Sequence, residues 1–323
     1  MPANHHRLSE AEAIALLARV LAPRAAPAAV VIGIGDDAAV LRIGSGQVVW
    51  TVDACVEGVH FERRWLSLED LGWKSLMAAA SDLAAMGAEP IGALAQLALP
   101  RSVGRAQLTA LARGQARAAR AIGCPVIGGN LSQGSELAVA TTVLGRVRRP
   151  IVRSGARPGD GVFLAGAVGR AALGLRLLRA GKRARTPAER AALAAWRRPL
   201  ARIELGRGLA RRAHAAIDVS DGLAGDAAHM ARASGVKIVL DAQALLAREP
   251  AGFALAARRV SSDPLELMLF GGEDYALFAA SAGALRGFSR VGRVEPGRGV
   301  WLERADGTRA RITRGGYDHL RSR

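Results

Sequence analysis

Apolar residues recur along this chain in two rhythms, one of period near 3.6 and one of period 2. Ser9 followed by Glu12 predicts a helix with a capping box, in which hydroxyl and carboxylate satisfy the first orphan N–H groups. After a Pro-rich break at 23–27, AAVVIGIG (28–35) and QVVWTVDACV (47–56) predict strands, and AAVLRI (38–43) alternates like another. Residues 70–86 predict a helix stopped by Gly87. IGALAQLAL (91–99), a helix near 104–122, PVIGG (125–129) and the strand ELAVATTVLGRV (136–147) complete a mixed first half. The stretch at 148–161 concentrates Pro, Gly and charge and marks a domain boundary. Beyond it, GVFLAG (161–166), HAAIDVS (214–220) and VKIVLD (236–241) predict strands. Residues 168–180, 187–213 with a break at Pro199, and 221–234 predict helices. The pattern implies an α+β protein of two mixed domains, 1–150 and 151–323.

Composition narrows the class. At 323 residues and 50% hydrophobic, the chain can bury a large core and is too apolar for disorder. No apolar run reaches the roughly 18 residues of a membrane helix, and the N-terminal stretch reads as amphipathic rather than as a signal peptide. Cys55 and Cys124 fit neither a disulfide framework nor a zinc pattern, so a soluble, cytoplasmic protein is expected. The net charge of +17 raises nucleic acid as a partner. The basic residues are dispersed, however, and all but Lys74, Lys182 and Lys237 are arginine in an Ala- and Gly-rich chain. That is the signature of GC-rich codons, so nucleic-acid binding is the lesser reading.

No G-x-x-x-x-G-K-[ST] is present. GIGDDA (33–38) mimics a dinucleotide-binding turn with Asp53 downstream, but two carboxylates would face the pyrophosphate and a strand follows where a helix is needed. What stands out is acid placed locally in a basic chain: Asp36 and Asp37 after a strand, Asp53 at the end of QVVWTVD, and Asp218 and Asp221 at the end of another strand. Asp82 lies in the last turns of a helix, where the macrodipole opposes an anion. Lys74, eight residues earlier, is expected to supply part of the compensation. Strand-end carboxylates suit Mg²⁺, which bridges phosphate oxygens, and the pairs Gly128–Gly129 and Gly271–Gly272 are expected to turn backbone N–H groups toward phosphates.

GIGDDAAVL (33–41), TVDACVEGVHF (51–61), KSLMAAASDLAAMGAEP (74–90), RSGARPGD (153–160), AIDVSDGLAGD (216–226), GGEDY (271–275) and GGYDH (315–319) together resemble the thiamine-monophosphate kinase family. The resemblance implies the aminoimidazole-ribonucleotide-synthetase-like fold, with two α/β-layered domains and an N-terminal sheet that pairs across a homodimer. It implies transfer of the ATP γ-phosphoryl group to thiamine monophosphate through several Mg²⁺. Asp36, Thr51, Asp53, Asp82, Asn130, Asp218 and Asp221 match its metal ligands. Gly129, Asn130, Arg153 and Ser220 match its ATP contacts, and His60, Glu273 and Tyr317 its substrate contacts. Asp37 and Asp274 match motifs without an assigned role. Asn130 stands where the family commonly has Asp, and Val52 where it often has Thr. Sister enzymes of the superfamily, such as selenophosphate or purine synthetases, are the enzymatic alternative. A basic nucleic-acid-binding protein is the non-enzymatic one.

Overall fold

The computed structural model describes residues 29–316 together with Glu12, Ile14 and Ala15. Ser9, the break at 23–27 and Tyr317 lie outside these residues. The first sheet is built from β1 (Val30–Ile32), β2 (Ala39–Ile43), β3 (Gly46–Val56), β4 (Glu89–Leu99), β5 (Val126–Gln133) and β6 (Ala138–Val147) in the order β1-β2-β3-β6-β4-β5. Among the described strands of this sheet, β4 and β5 alone pair in parallel. Helices α1 (Leu68–Ala85) and α2 (Arg105–Ile122) belong to this half.

The second half contains β7 (Gly161–Ala165), α3 (Arg170–Arg179), α4 (Pro187–Arg197), α5 (Ile203–Leu209), β8 (Ala215–Val219), α6 (Leu223–Ser234) and β9 (Lys237–Asp241). Past Asp241, where the sequence pattern predicted no elements, come α7 (Ala242–Leu246), α8 (Ala251–Arg259), α9 (Pro264–Phe270), β10 (Ala276–Ser281), β11 (Ser289–Glu295), β12 (Gly299–Glu303) and β13 (Arg309–Ile312). Their sheet runs β13-β12-β9-β11-β7-β10-β8.

Several expectations need revision. The strand expected at 28–35 shortens to Val30–Ile32, since Gly35 turns the backbone at φ 127°. PVIGG does not end in a turn: β5 continues to Gln133, so Gly128 and Gly129 lie inside an edge strand. The helix expected from 221 starts at Leu223, because Gly222 sits at φ 113°. The break expected at Pro199, which cannot continue a helix, is present between Pro187–Arg197 and Ile203–Leu209.

Helix α1 organises the whole molecule. The Ser67 hydroxyl caps it by accepting the Asp70 N–H at 3.1 Å, with Glu69 and Asp70 favourably placed in its first turn. It is buried nearly all round, as a helix between two layers must be. Leu76, Met77, Ala80 and Leu83 pack in one cluster with Val49 and Val143 of the first sheet and with Phe163, Ala216 and Leu277 of the second. The alternate residues Val162, Leu164, Ile217 and Phe278 face the opposite way, into a core with α6. Small residues permit the close packing: a Cβ on Gly72 would lie 2.0 Å from the Leu111 carbonyl oxygen of α2. No described helix is long and apolar enough to cross a membrane.

Candidate active site

Three backbone segments bring three carboxylates together. Asp37 precedes β2, Asp82 lies in the last turn of α1, and Asp218 occupies the β8 position that shares the face of Ala216, toward α1. One oxygen from each lies within 4.8 Å of the others. Thr51, on the inner face of β3, donates its hydroxyl to Asp82 Oδ2 at 2.5 Å, and Ser81 donates to Asp218 Oδ2 at 2.7 Å. Arg153 Nε donates to Asp37 Oδ1 at 2.9 Å, while the buried Asp37 Oδ2 has no partner among the described residues. Burial pushes all three acids upward, with repulsion from neighbouring carboxylates adding to it at Asp37 and Asp82: Asp37 to about 7, Asp82 well above the carboxylate range, and Asp218 also raised. Close, desolvated carboxylates with an orphaned inward oxygen fit a divalent cation, which would replace the protons.

The remaining sequence-derived candidates fall into three groups. Asp53, Ser220 and Asp221 line a cavity of about 440 Å³ into which Asp82 and Asp218 also open. His60 and Glu273 line the same cavity. The Asp36 carboxylate accepts the backbone N–H groups of Asp37, at 2.9 Å, and of Arg153, which orders the loop behind the cluster. Gly129 and Asn130 lie on the exposed edge strand β5 and are not among the cavity-lining residues.

Two expectations about partners change. Lys74 does not compensate Asp82: eight residues rotate about 80° around a helix axis, and its ammonium turns elsewhere. Lys74 Nζ, 1% exposed, pairs with Glu273 Oε1 at 2.6 Å, donates to the Trp196 carbonyl at 3.2 Å and lies 4.5 Å from the Trp196 ring centroid. Trp196 Nε1 donates to the other Glu273 oxygen at 2.7 Å. Asp37, assigned no role from its motif, supplies a corner of the carboxylate cluster. Asp274 instead accepts the Gly169 and Ala171 N–H groups and so caps α3 from a distance in sequence.

Asp226, overlooked within its motif, is buried and accepts the Asp221 N–H at 3.3 Å. Burial and the field of Asp221 and Asp218 raise its pKa well above the usual range. Its spacing five residues after Asp221 is the only sequence signal for it. His60 Nδ1 accepts the Val56 N–H at 3.1 Å, so the neutral ring carries its proton on Nε2.

A layered pair of α/β sheets joined through one buried helix, with acids gathered where they meet, defines a protein of the AIR synthase related class. Residues 35–147 match the AIR synthase related protein, N-terminal domain, and 157–302 the C-terminal domain. The chain belongs to the thiamine-monophosphate kinase family. It is 36% identical over 275 residues to the thiamine-monophosphate kinase of Aquifex aeolicus, covering 84% of this chain and 89% of that one. It is likewise 36% identical over 289 residues to that of Mycobacterium tuberculosis, covering 88% and 85%. The solved structure of AaThiL complexed with AMPPCP and TMP superposes with a TM-score of 0.87 at 34% identity, over 97% of both chains. Hydrogenase maturation protein HypE, at 18% identity over 86% of this chain and 91% of its own with a TM-score of 0.69, shares the fold alone.

Proposed function

We propose that this enzyme transfers the γ-phosphoryl group of ATP directly to the phosphate of thiamine monophosphate, yielding thiamine diphosphate and ADP. The observation that carries this reading is a single cavity with a carboxylate cluster at one wall and a braced glutamate, Glu273, at another. Asp37, Asp82 and Asp218 would hold Mg²⁺, with Asp36, Thr51, Asp53 and Asp221 around them. When bound, Mg²⁺ would screen the repulsion between the two phosphate-bearing reactants and stabilise charge as it moves.

Arg153 and Ser220, with Gly129 and Asn130, are assigned to ATP. Glu273, held from behind by Lys74 and Trp196, offers its charge to the cationic part of thiamine, its thiazolium ring, and His60 offers an N–H donor. Tyr317 is assigned to the same substrate. The reaction implies a compartment rich in ATP, the cytoplasm. ADP formation should require both Mg²⁺ and thiamine monophosphate; ADP released equally without the acceptor would overturn the assignment.

Three expectations attach to these roles. Lys74→Met should raise KM for thiamine monophosphate about tenfold or more while leaving KM for ATP within about twofold, since a freed Glu273 loses its orientation. In a Glu273→Gln background the same substitution should add little, and an undiminished effect there would show that Lys74 acts through folding. Asn130→Asp should reach half-maximal activity at a lower Mg²⁺ concentration than the wild type, because a carboxylate binds the cation with a full charge; superimposable Mg²⁺ titrations would contradict this. The third concerns assembly. The six-stranded sheet buries one face on α1 and exposes Trp50 at 50%, Val52 at 65%, Leu94 at 44% and Ile127 at 71% on the other side or at its edge. Such an apolar face suits a second copy of the chain. Sedimentation should find a wild-type dimer and a Val52→Glu monomer.

A further inference from the structure

Away from the cavity, three guanidinium groups meet at the loop between β7 and α3. Arg248 Nη2 donates to the Gly166 carbonyl at 2.5 Å. Arg202 packs on the same glycine so tightly that an added Cβ there would lie 2.4 Å from its Nε. Arg170 Nε donates to Glu249 Oε2 at 2.7 Å. Among the described residues the Arg202 side chain makes no hydrogen bond and no ion pair, although its backbone carbonyl accepts the Gly206 N–H, and the buried Nε atoms of both Arg202 and Arg248 have no acceptor.

The available acids do not balance these charges. Glu249 is engaged by Arg170, and both oxygens of Asp274 are committed to the N–H groups that open α3. Burial also raises Asp274 to about 7, which weakens it as a counter-charge. Partly desolvated, like-charged guanidinium groups with orphaned donors destabilise a fold unless an acceptor fills the gap. The planar fork of an arginine matches the oxygens of phosphate.

We propose that Arg202 and Arg248, with Arg170 beside them, form a binding site for a phosphate group, separate from the catalytic cavity. None of the three lines that cavity. The site adjoins Asp274, and therefore the loop that carries Glu273. Its ligand is inorganic phosphate or the phosphate end of a nucleotide.

The test is thermal unfolding of the full chain in inorganic phosphate against chloride at matched ionic strength. Wild type should gain roughly 2–4 °C over the chloride control at saturating phosphate. Arg202→Gln should unfold at a higher temperature than wild type in phosphate-free, low-salt buffer, because it removes an unpaired charge, and should lose the phosphate response. Arg248→Gln should weaken the response, and Asp82→Asn should retain it, since the catalytic cluster is not involved. ADP tested on Asp82→Asn identifies the source: a gain that Arg202→Gln removes assigns a nucleotide phosphate, and no gain assigns the free ion. A phosphate response that survives Arg202→Gln, or an Arg202→Gln protein less stable than wild type without phosphate, overturns the proposal.

Discussion

Asp82→Asn is expected to lower phosphoryl transfer at least about a thousandfold, a loss of ~4 kcal/mol of transition-state stabilisation, while the melting temperature of the metal-free protein stays within a few degrees of wild type. The physical case rests on the state of Asp82 in the folded chain. Burial and the fields of Asp218 and Asp37 raise its pKa well above the carboxylate range, which without a cation favours its neutral form. An asparagine reproduces that neutral group, and its amide oxygen still accepts the Thr51 hydroxyl that Asp82 accepts at 2.5 Å. What the substitution removes is the negative charge that a divalent cation would call up. Turnover near the wild-type rate would exclude Asp82 from the chemistry. Lost turnover with a large fall in melting temperature would instead make it a structural residue. Asp218→Asn should behave in the same way, with Ser81 in the place of Thr51.

Without divalent cations, the protein should become less stable as pH rises from about 6.5 to 8.5, and Mg²⁺ should stabilise it more at the upper end of that range. The sign follows from proton counting. Asp37 and Asp274, raised to about 7, and Asp82 and Asp226, raised well above the usual carboxylate range, keep protons in the folded chain that they lose near pH 4 in the unfolded chain. Folding therefore takes up protons, and stability falls as pH climbs through the folded values.

His229 acts in the opposite sense. Burial and Arg153 lower it to about 4, so it adds stability up to the ordinary histidine range and contributes no slope above it. The surface acid Glu303, pulled down to about 2 by Arg293 and Arg309, is fully ionised throughout the window. Because Mg²⁺ binds the deprotonated carboxylates, its effect should grow as they lose their protons. Melting curves with and without Mg²⁺ at three pH values decide the matter: a metal-free melting temperature that rises across this range, or a Mg²⁺ shift independent of pH, would contradict it.

The sequence reading was strongest where structure is local. The helix expected at 70–86 is α1 to within two residues, and the strands at 47–56, 136–147, 161–166 and 236–241 appear nearly where alternation put them. Asp82 stood out because an acid at a helix C-terminus is unfavourable by itself. Local reasoning failed for Lys74, whose helical spacing from Asp82 said nothing about Trp196 and Glu273, which approach from the other half of the chain. It also could not choose between Asp36 and Asp37. Adjacent carboxylates of equal chemistry differ only in which one the loop uses for its own N–H groups and which one Arg153 holds against Asp82 and Asp218.

By itself the sequence determined the alternation of strands and helices, the pool of acids in a basic chain and the motifs of a kinase family, since each is written in neighbouring residues. Only the tertiary structure decided that Asp37, Asp82 and Asp218 converge, that Glu273 is braced by Lys74 and Trp196, and that the buried Nε of Arg202 has no acceptor among the described residues. Those are contacts between segments far apart in the chain. They depend on how two sheets close upon one buried helix, and no spacing within a single segment encodes that closure.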